Sequence, residues 1–134
     1  MTNDQRPTAT IVVTAAVVEI DGRYLVTRRQ TGVHLEGLWE FPGGKCDRDE
    51  TLKACLAREI LEELDVAARI GEELFKAIHA YPDRSVEIHF FSCELLGEPR
   101  AALGQEMQWV RREDLAALDF PPADGELIRM LEQA

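Results

Sequence analysis

A chain of 134 residues, 46% apolar and 30% charged, has the length of one domain and enough apolar side chains to build a core, which excludes a mainly disordered protein. Its 25 acidic and 15 basic residues leave a net charge of −10, with no basic stripe for a nucleic-acid polymer or an anionic membrane. An acidic protein can still take an anionic small molecule when divalent cations bridge the like charges.

Cys46, Cys55 and Cys93 are odd in number and contain no C-x-x-C pair, so neither a disulfide framework nor a zinc site is expected. Residues 1–10 are polar and lack the apolar run of a signal peptide. The longest apolar stretch, around Ala15 to Val18, is too short to span a bilayer. A cytoplasmic protein is the expectation.

Residues 10–20, rich in β-branched side chains, predict a strand that ends at an Asp21-Gly22 hairpin turn, with 23–29 returning. A polar loop follows over 30–37, then a short apolar segment over 38–41 that stops at Pro42-Gly43-Gly44. Leu52, Cys55, Leu56, Ile60 and Leu64 recur at helical spacing with no Gly or Pro between them, which predicts a helix over 50–64. Residues 66–80 read as one or two strands, 81–84 as a turn and 86–96 as another strand. Beyond a loop over 97–104, a short strand is predicted at 107–110 and a helical turn or two at 113–118. Pro121-Pro122 leads into a last helix running towards Gln133. The order describes one α+β domain over 1–134 with a mixed sheet.

The predicted helix carries charge where its core face should be. With Leu52 at zero on a helical wheel, Leu56 lies at about 40° and Ile60 at about 80°, while Glu59 falls near 340°, Glu63 near 20° and Glu62 near 280°. Two carboxylates thus project into the apolar arc and the third sits at its edge. Glu59 and Glu63 are also a like-charged i, i+4 pair, and all three lie at the end where the helix dipole disfavours anions. A bound cation would compensate, and oxygen ligands without His or Cys favour Mg²⁺ or Mn²⁺. A plain charged helix in which Arg58 pairs with Glu62 is the alternative.

The spacing around these acids resembles the Nudix box, G-x5-E-x7-R-E-U-x-E-E-x-G-U, with U a bulky aliphatic residue. Gly44, Glu50, Arg58, Glu59, Ile60, Glu62, Glu63 and Val66 fill its fixed positions over 44–66, and Asp65 stands where the family has glycine. That glycine closes the helix in a left-handed conformation, which Asp tolerates better than most residues. Beyond the box, Arg28-Arg29, Leu38 through Lys45, Tyr81-Pro82-Asp83-Arg84 and Phe120 through Asp124 resemble the MutT branch. The resemblance implies an α/β/α sandwich and a pyrophosphohydrolase that clears oxidised or otherwise abnormal nucleotides.

The same resemblance assigns roles. Glu59, Glu62 and Glu63, with the Gly43 carbonyl, would hold Mg²⁺ or Mn²⁺; Glu59, then Glu62, is the candidate base, and Arg58 orients the carboxylates. Glu50 either caps the helix or supports the metal site. Arg28, Arg29 and Lys45 are candidate phosphate contacts, with solvated surface charge as their alternative. Phe41 stacks on the base or fills the core; Arg84 contacts the base or completes its turn. Asp124 either reads the base edge, accepting from guanine or cytosine donors, or caps the last helix. Some relatives carry a further acid where this chain has Leu103, and Glu106 is its candidate substitute. His34, His79 and His89 fit no ligand spacing. The implied reaction turns a (d)NTP, 8-oxo-dGTP foremost, into monophosphate and pyrophosphate. The alternatives are CTP or a modified pyrimidine triphosphate as substrate and, more distantly, a non-catalytic nucleotide-binding module. The expected partner is the nucleotide alone, with no polymeric nucleic acid and no membrane, and the expected state is a monomer or homodimer.

Overall fold

The computed structural model describes residues 9–32 and 36–133, so His34 lies outside it. Strands β1 (Thr10–Val17), β2 (Glu19–Ile20), β3 (Arg23–Arg28), β4 (Trp39–Glu40) and β5 (Gly43–Lys45) precede helix α1 (Leu52–Leu64). Two long strands follow, β6 (Ala68–Tyr81) and β7 (Arg84–Leu95), then β8 (Met107–Arg111), two 3₁₀ turns and helix α2 (Gly125–Glu132).

One sheet is mixed, in the order β5-β1-β7-β6, with β1 parallel to β7 and the other pairs antiparallel. The second is antiparallel and centres on β3, which pairs with β2, β4 and β8. The single strand expected over 10–20 is therefore two strands in two sheets. The break comes at Val18, which is buried and whose carbonyl accepts from Leu25 N–H at 3.1 Å. At the hairpin, Asp21 and Gly22 both take positive φ, as the two-residue turn requires.

Two cores lie on opposite sides of the sheets. Leu56, Ile60 and Leu64 of α1 pack on Ala16, Val18, Leu25 and Phe91. Leu127, Ile128 and Leu131 of α2 pack with Phe41, Phe90 and Val110 on the other side. Sheets between helices are the layered arrangement that the Nudix resemblance implies, with the strands divided between two sheets rather than one. Among the described residues, no helix is long and apolar enough to cross a membrane.

Strand β5 has no counterpart in the sequence reading, because Pro-Gly-Gly reads as a turn. Its glycines are what permit the pairing: a Cβ on Gly43 would lie 2.0 Å from the Thr14 carbonyl oxygen of β1.

Helix α1 begins two residues later than predicted. Thr51 caps it, its Oγ1 accepting from Ala54 N–H at 3.1 Å, so Glu50 is not the cap. The other end is as expected, with Asp65 left-handed (φ 54°, ψ 42°) and its N–H donating to Leu61 O at 3.0 Å. Asp65→Gly should stabilise the protein by about 0.5–1 kcal/mol, since glycine takes this conformation without steric penalty. The ion pair lost with Arg100 is exposed and contributes little. Thermal melting checks this, with kcat unchanged; an unaltered or lower Tm would show that the cap carries no strain.

The cysteine expectation needs correction. Cys46 and Cys55 form a disulfide with their Cα atoms 5.3 Å apart. No spacing rule announces it, because the pair is created when β5 meets α1. Cys93 is a free thiol, pushed up to about 11 by burial, with Glu94 adding to the effect.

Candidate active site

Arg58 organises the box. Its Nε and Nη2 donate to the two Glu50 oxygens at 2.5 and 2.9 Å, and Nη2 also reaches the Lys45 carbonyl at 3.2 Å. Nη1 donates to Glu59 at 3.0 Å and to Glu62 at 3.2 Å. Paired this way, and with Asp47 N–H donating to it, the Glu50 carboxyl is held down to about 2. Arg58 thus ties the start of the box, strand β5 and the helix acids into one unit. The Arg58–Glu62 pair of the plain charged helix is present as well, as one bond of several.

Glu59 lies against the backbone of β5. A Cβ on Gly44 would come within 2.4 Å of the Glu59 carboxylate, so glycine is what lets the acid in. The Glu59 side chain is 14% exposed, against 56% for Glu62. Glu62 stands at the rim, as its place on the wheel suggests. Glu63 is the inner acid: burial first, then the Glu40 and Glu59 carboxylates, push its pKa well above the usual range, and a hydrogen bond from Gly43 opposes them.

A cavity of about 410 Å³ opens beside these acids. Gly43, Gly44, Lys45, Glu63, Glu40 and Arg29 are among its lining residues, and Phe41, Arg84 and Asp124 also border it. Ile11, Val13, Val86 and Ile88 add an aliphatic part to its lining. Phe41 is 3% exposed and stacks on Phe120 at 5.4 Å, so it is a core residue and a wall at once.

Asp124 is 5% exposed, makes no side-chain capping bond to α2, and borders the cavity. It thus holds the N-cap position of the capping alternative without the side-chain bond that makes a cap. Burial raises its pKa to about 7, with Glu40 adding to the effect. The folded chain keeps this proton over a range where the unfolded chain, with an Asp pKa near 3.9, has released it. The stabilising contribution is complete below pH ~4 and is lost as pH rises to about 7. Asp124→Asn should melt with the wild type at pH ~4 and above it at pH ~8. Melting curves at both pH values check this; an offset that does not change with pH would contradict it.

Arg28 does not border the large cavity; with Arg29, Glu40 and Glu63 it borders a smaller one. It donates to Gly37 O at 2.9 Å and to Glu106 at 3.0 Å, and its guanidinium lies over the Trp39 ring. Glu106, the candidate replacement acid, is therefore engaged with Arg28. Leu103 instead lines that smaller cavity of about 120 Å³ with Glu40 and Glu63. His89 is buried between Glu87 and Glu73, at 2.6 and 3.1 Å, which makes it a structural histidine.

Sequence reasoning passed over Glu40 as a site residue. It receives Arg29 Nη1 at 2.9 Å, borders both cavities, and has its pKa raised mainly by burial, with Arg29 opposing. A charged residue between Trp39 and Phe41 in an otherwise apolar run was the available signal. His79 and Tyr81, 4.6 Å apart edge to face, also line the large cavity.

The donor set suits a hard divalent cation. Glu59, Glu63 and Glu40 crowd together and offer only oxygen, and the pKa of Glu63 registers their repulsion. Among the described residues, no group of three or more His, Cys, Asp or Glu already stands arranged to hold a metal ion, and Glu62 is bonded to Arg58.

Comparison with known proteins agrees with this geometry. The NUDIX domain model matches residues 13–130. The chain is 36% identical over 124 residues to an 8-oxo-dGTP diphosphatase of Haemophilus influenzae, with 90% of each chain covered. It is 33% identical over 119 residues to the CTP pyrophosphohydrolase of Escherichia coli, with 88% of each covered. The solution structure of the E. coli ORF135 protein superposes with a TM-score of 0.83 at 32% identity, over 95% of this chain and 93% of that one. A box helix that sets Glu59 against Gly44, continued by a family match along nearly the whole length, means that the chain belongs to the NUDIX domain family and is a Nudix hydrolase.

Proposed function

We propose that this Nudix hydrolase splits nucleoside triphosphates, 8-oxo-dGTP foremost, into the monophosphate and pyrophosphate, using Mg²⁺ or Mn²⁺. The observation that carries the reading is one cavity bordered by Glu63, Gly43 and Lys45 and also by the buried acid Asp124. A nucleotide has the same two chemistries, a polyphosphate and a hydrogen-bonding base edge. Resemblance to an 8-oxo-dGTP diphosphatase points the same way.

Glu59, Glu62, Glu63 and the Gly43 carbonyl are the groups that would hold the cation. When bound, it neutralises the polyphosphate and makes water easier to deprotonate. Glu59 takes the proton from the attacking water, with Arg58 fixing its carboxylate. Lys45 and Arg29 balance charge on the phosphates, and Glu40 fixes the Arg29 guanidinium. Asp124 and Arg84 meet the base, and Phe41 walls it. Arg28, paired with Glu106, would reach a phosphate only by releasing that partner. The enzyme works as a monomer or homodimer in the cytoplasm, where the nucleotide pool lies.

A second substrate class has specific support. A carboxylate at Asp124 accepts from the cytosine amino group as readily as from guanine, and a CTP pyrophosphohydrolase is among the relatives. The test compares kcat/KM of wild type and Asp124→Asn on 8-oxo-dGTP, dGTP, CTP and 5-substituted dCTP. The preferred substrate should lose about tenfold or more in the variant, while the others change less. Preference for the cytosine nucleotides would replace the substrate assignment, and equal losses on all four would remove Asp124 from base recognition.

A further inference from the structure

The Cys46–Cys55 bond lies where the two halves of the proposed metal site join. Cys46 directly follows β5, which carries Gly43 and Gly44; Cys55 is one helical turn before Glu59. The disulfide is the covalent link from α1 to this stretch, beside the Arg58 bond to Lys45 O and the Gly43 N–H bond to the Glu63 carboxyl. Cys46 is half-buried, and its N–H donates to Val12 O at 2.9 Å, anchoring that end to β1. Cys55 is fully buried, with its sulfur 3.3 Å from Thr14 Oγ1.

We propose that Cys46 and Cys55 form a reversible thiol–disulfide couple that sets how tightly the site holds its divalent cation. The inference rests on the metal-site reading above. In the bonded state β5 and α1 are covalently joined, which fixes the Gly43 carbonyl relative to Glu59 and Glu63. In the dithiol state that register depends on non-covalent ties, the Arg58 bonds, the Gly43–Glu63 hydrogen bond and packing.

The chemistry balances with two ordinary partners. A dithiol reductant attacks the more accessible Cys46 sulfur, and the S–S electron pair leaves on Cys55, whose thiolate the Thr14 hydroxyl is placed to hydrogen-bond. The second thiol of the reductant then displaces Cys46, so the reductant becomes a disulfide and both cysteines end as thiols. In reverse, hydrogen peroxide converts Cys46 to a sulfenic acid with release of one water, and Cys55 displaces the second water as the bond forms.

The experiment uses the full chain after peroxide and after dithiothreitol, with peptide mapping to report the 46–55 bond. Electron paramagnetic resonance then measures the Mn²⁺ dissociation constant, and hydrogen exchange follows the amides of Gly43–Lys45. Reduction should weaken Mn²⁺ binding by about tenfold, reversibly, and speed exchange in β5. Cys46→Ser, at the less buried position, should show the reduced values under both treatments. Equal Mn²⁺ affinity and equal exchange in mapped oxidised and reduced protein would overturn the proposal, as would full alkylation of both cysteines after peroxide. Faster β5 exchange on reduction with no Mn²⁺ binding in either state would instead overturn the metal-site reading and leave a structural tether.

Discussion

Glu59→Gln should lower kcat by about a thousandfold while the protein stays folded, a loss of about 4 kcal/mol in transition-state stabilisation. Glutamine keeps the volume and can still accept from Arg58, so the tie between α1 and β5 survives. What disappears is a negative charge beside the Glu63 carboxyl, which that charge helps to push up. The variant should therefore melt at the wild-type temperature or slightly above it, the opposite of what a structural role predicts. Steady-state kinetics with a melting curve check both halves. Wild-type turnover would remove Glu59 from the mechanism, and a collapsed melt would make it a structural residue.

Gly44→Ala should cost about a hundredfold in kcat through the same side chain. The new methyl would meet the Glu59 Cδ and Oε1 at 2.4 Å, far inside contact. What it meets is the far end of a side chain rather than backbone, so the carboxylate swings aside and the fold survives. The two changes act on one group, so Gly44→Ala in the Glu59→Gln background should add little further loss. Fully additive losses would mean that Gly44 serves the reaction independently, for instance through its own backbone. Undiminished activity in Gly44→Ala would mean that Glu59 works from some other position.

Much of this machinery is legible in the chain because the box is local. Residues 44–66 lie on one strand end and one helix, so fixed spacing becomes fixed geometry with no help from distant contacts. The wheel position of Glu62 matches its exposure, and the left-handed Asp65 follows from the glycine it replaces. Three features escape because each depends on which elements meet in the fold, even where, as for Cys46 and Cys55, the residues are only nine apart. Strand β5 is a turn by composition and a strand only because β1 pairs with it. The disulfide needs β5 and α1 in contact, and Glu40 gains its meaning from Arg29 and Glu63. The split of 10–20 between two sheets likewise reflects the second sheet competing for Val18.

The distance between the box and Asp124 shows where the reading becomes tertiary. Composition placed Asp124 beside prolines, where capping a helix and facing a base look alike. The fold adds what the sequence lacks, a buried Asp124 at the N-cap position with no side-chain capping bond. Arg28 and Arg29 make the same point, since β3 ends at Arg28 and the two neighbours find different partners. Arg29 borders the large cavity, while Arg28 is taken up by Gly37 and Glu106.

The central claim is pyrophosphohydrolysis of a nucleoside triphosphate, and the products test it most directly. Wild-type protein incubated with 8-oxo-dGTP and Mg²⁺ should release pyrophosphate and monophosphate in equal amounts, with none formed when the cation is chelated. Release of orthophosphate and the diphosphate would contradict the account by moving the cleavage to the terminal phosphate. No turnover of this or any other nucleoside triphosphate, with Mn²⁺ still bound, would leave a Nudix fold that binds nucleotides without cleaving them.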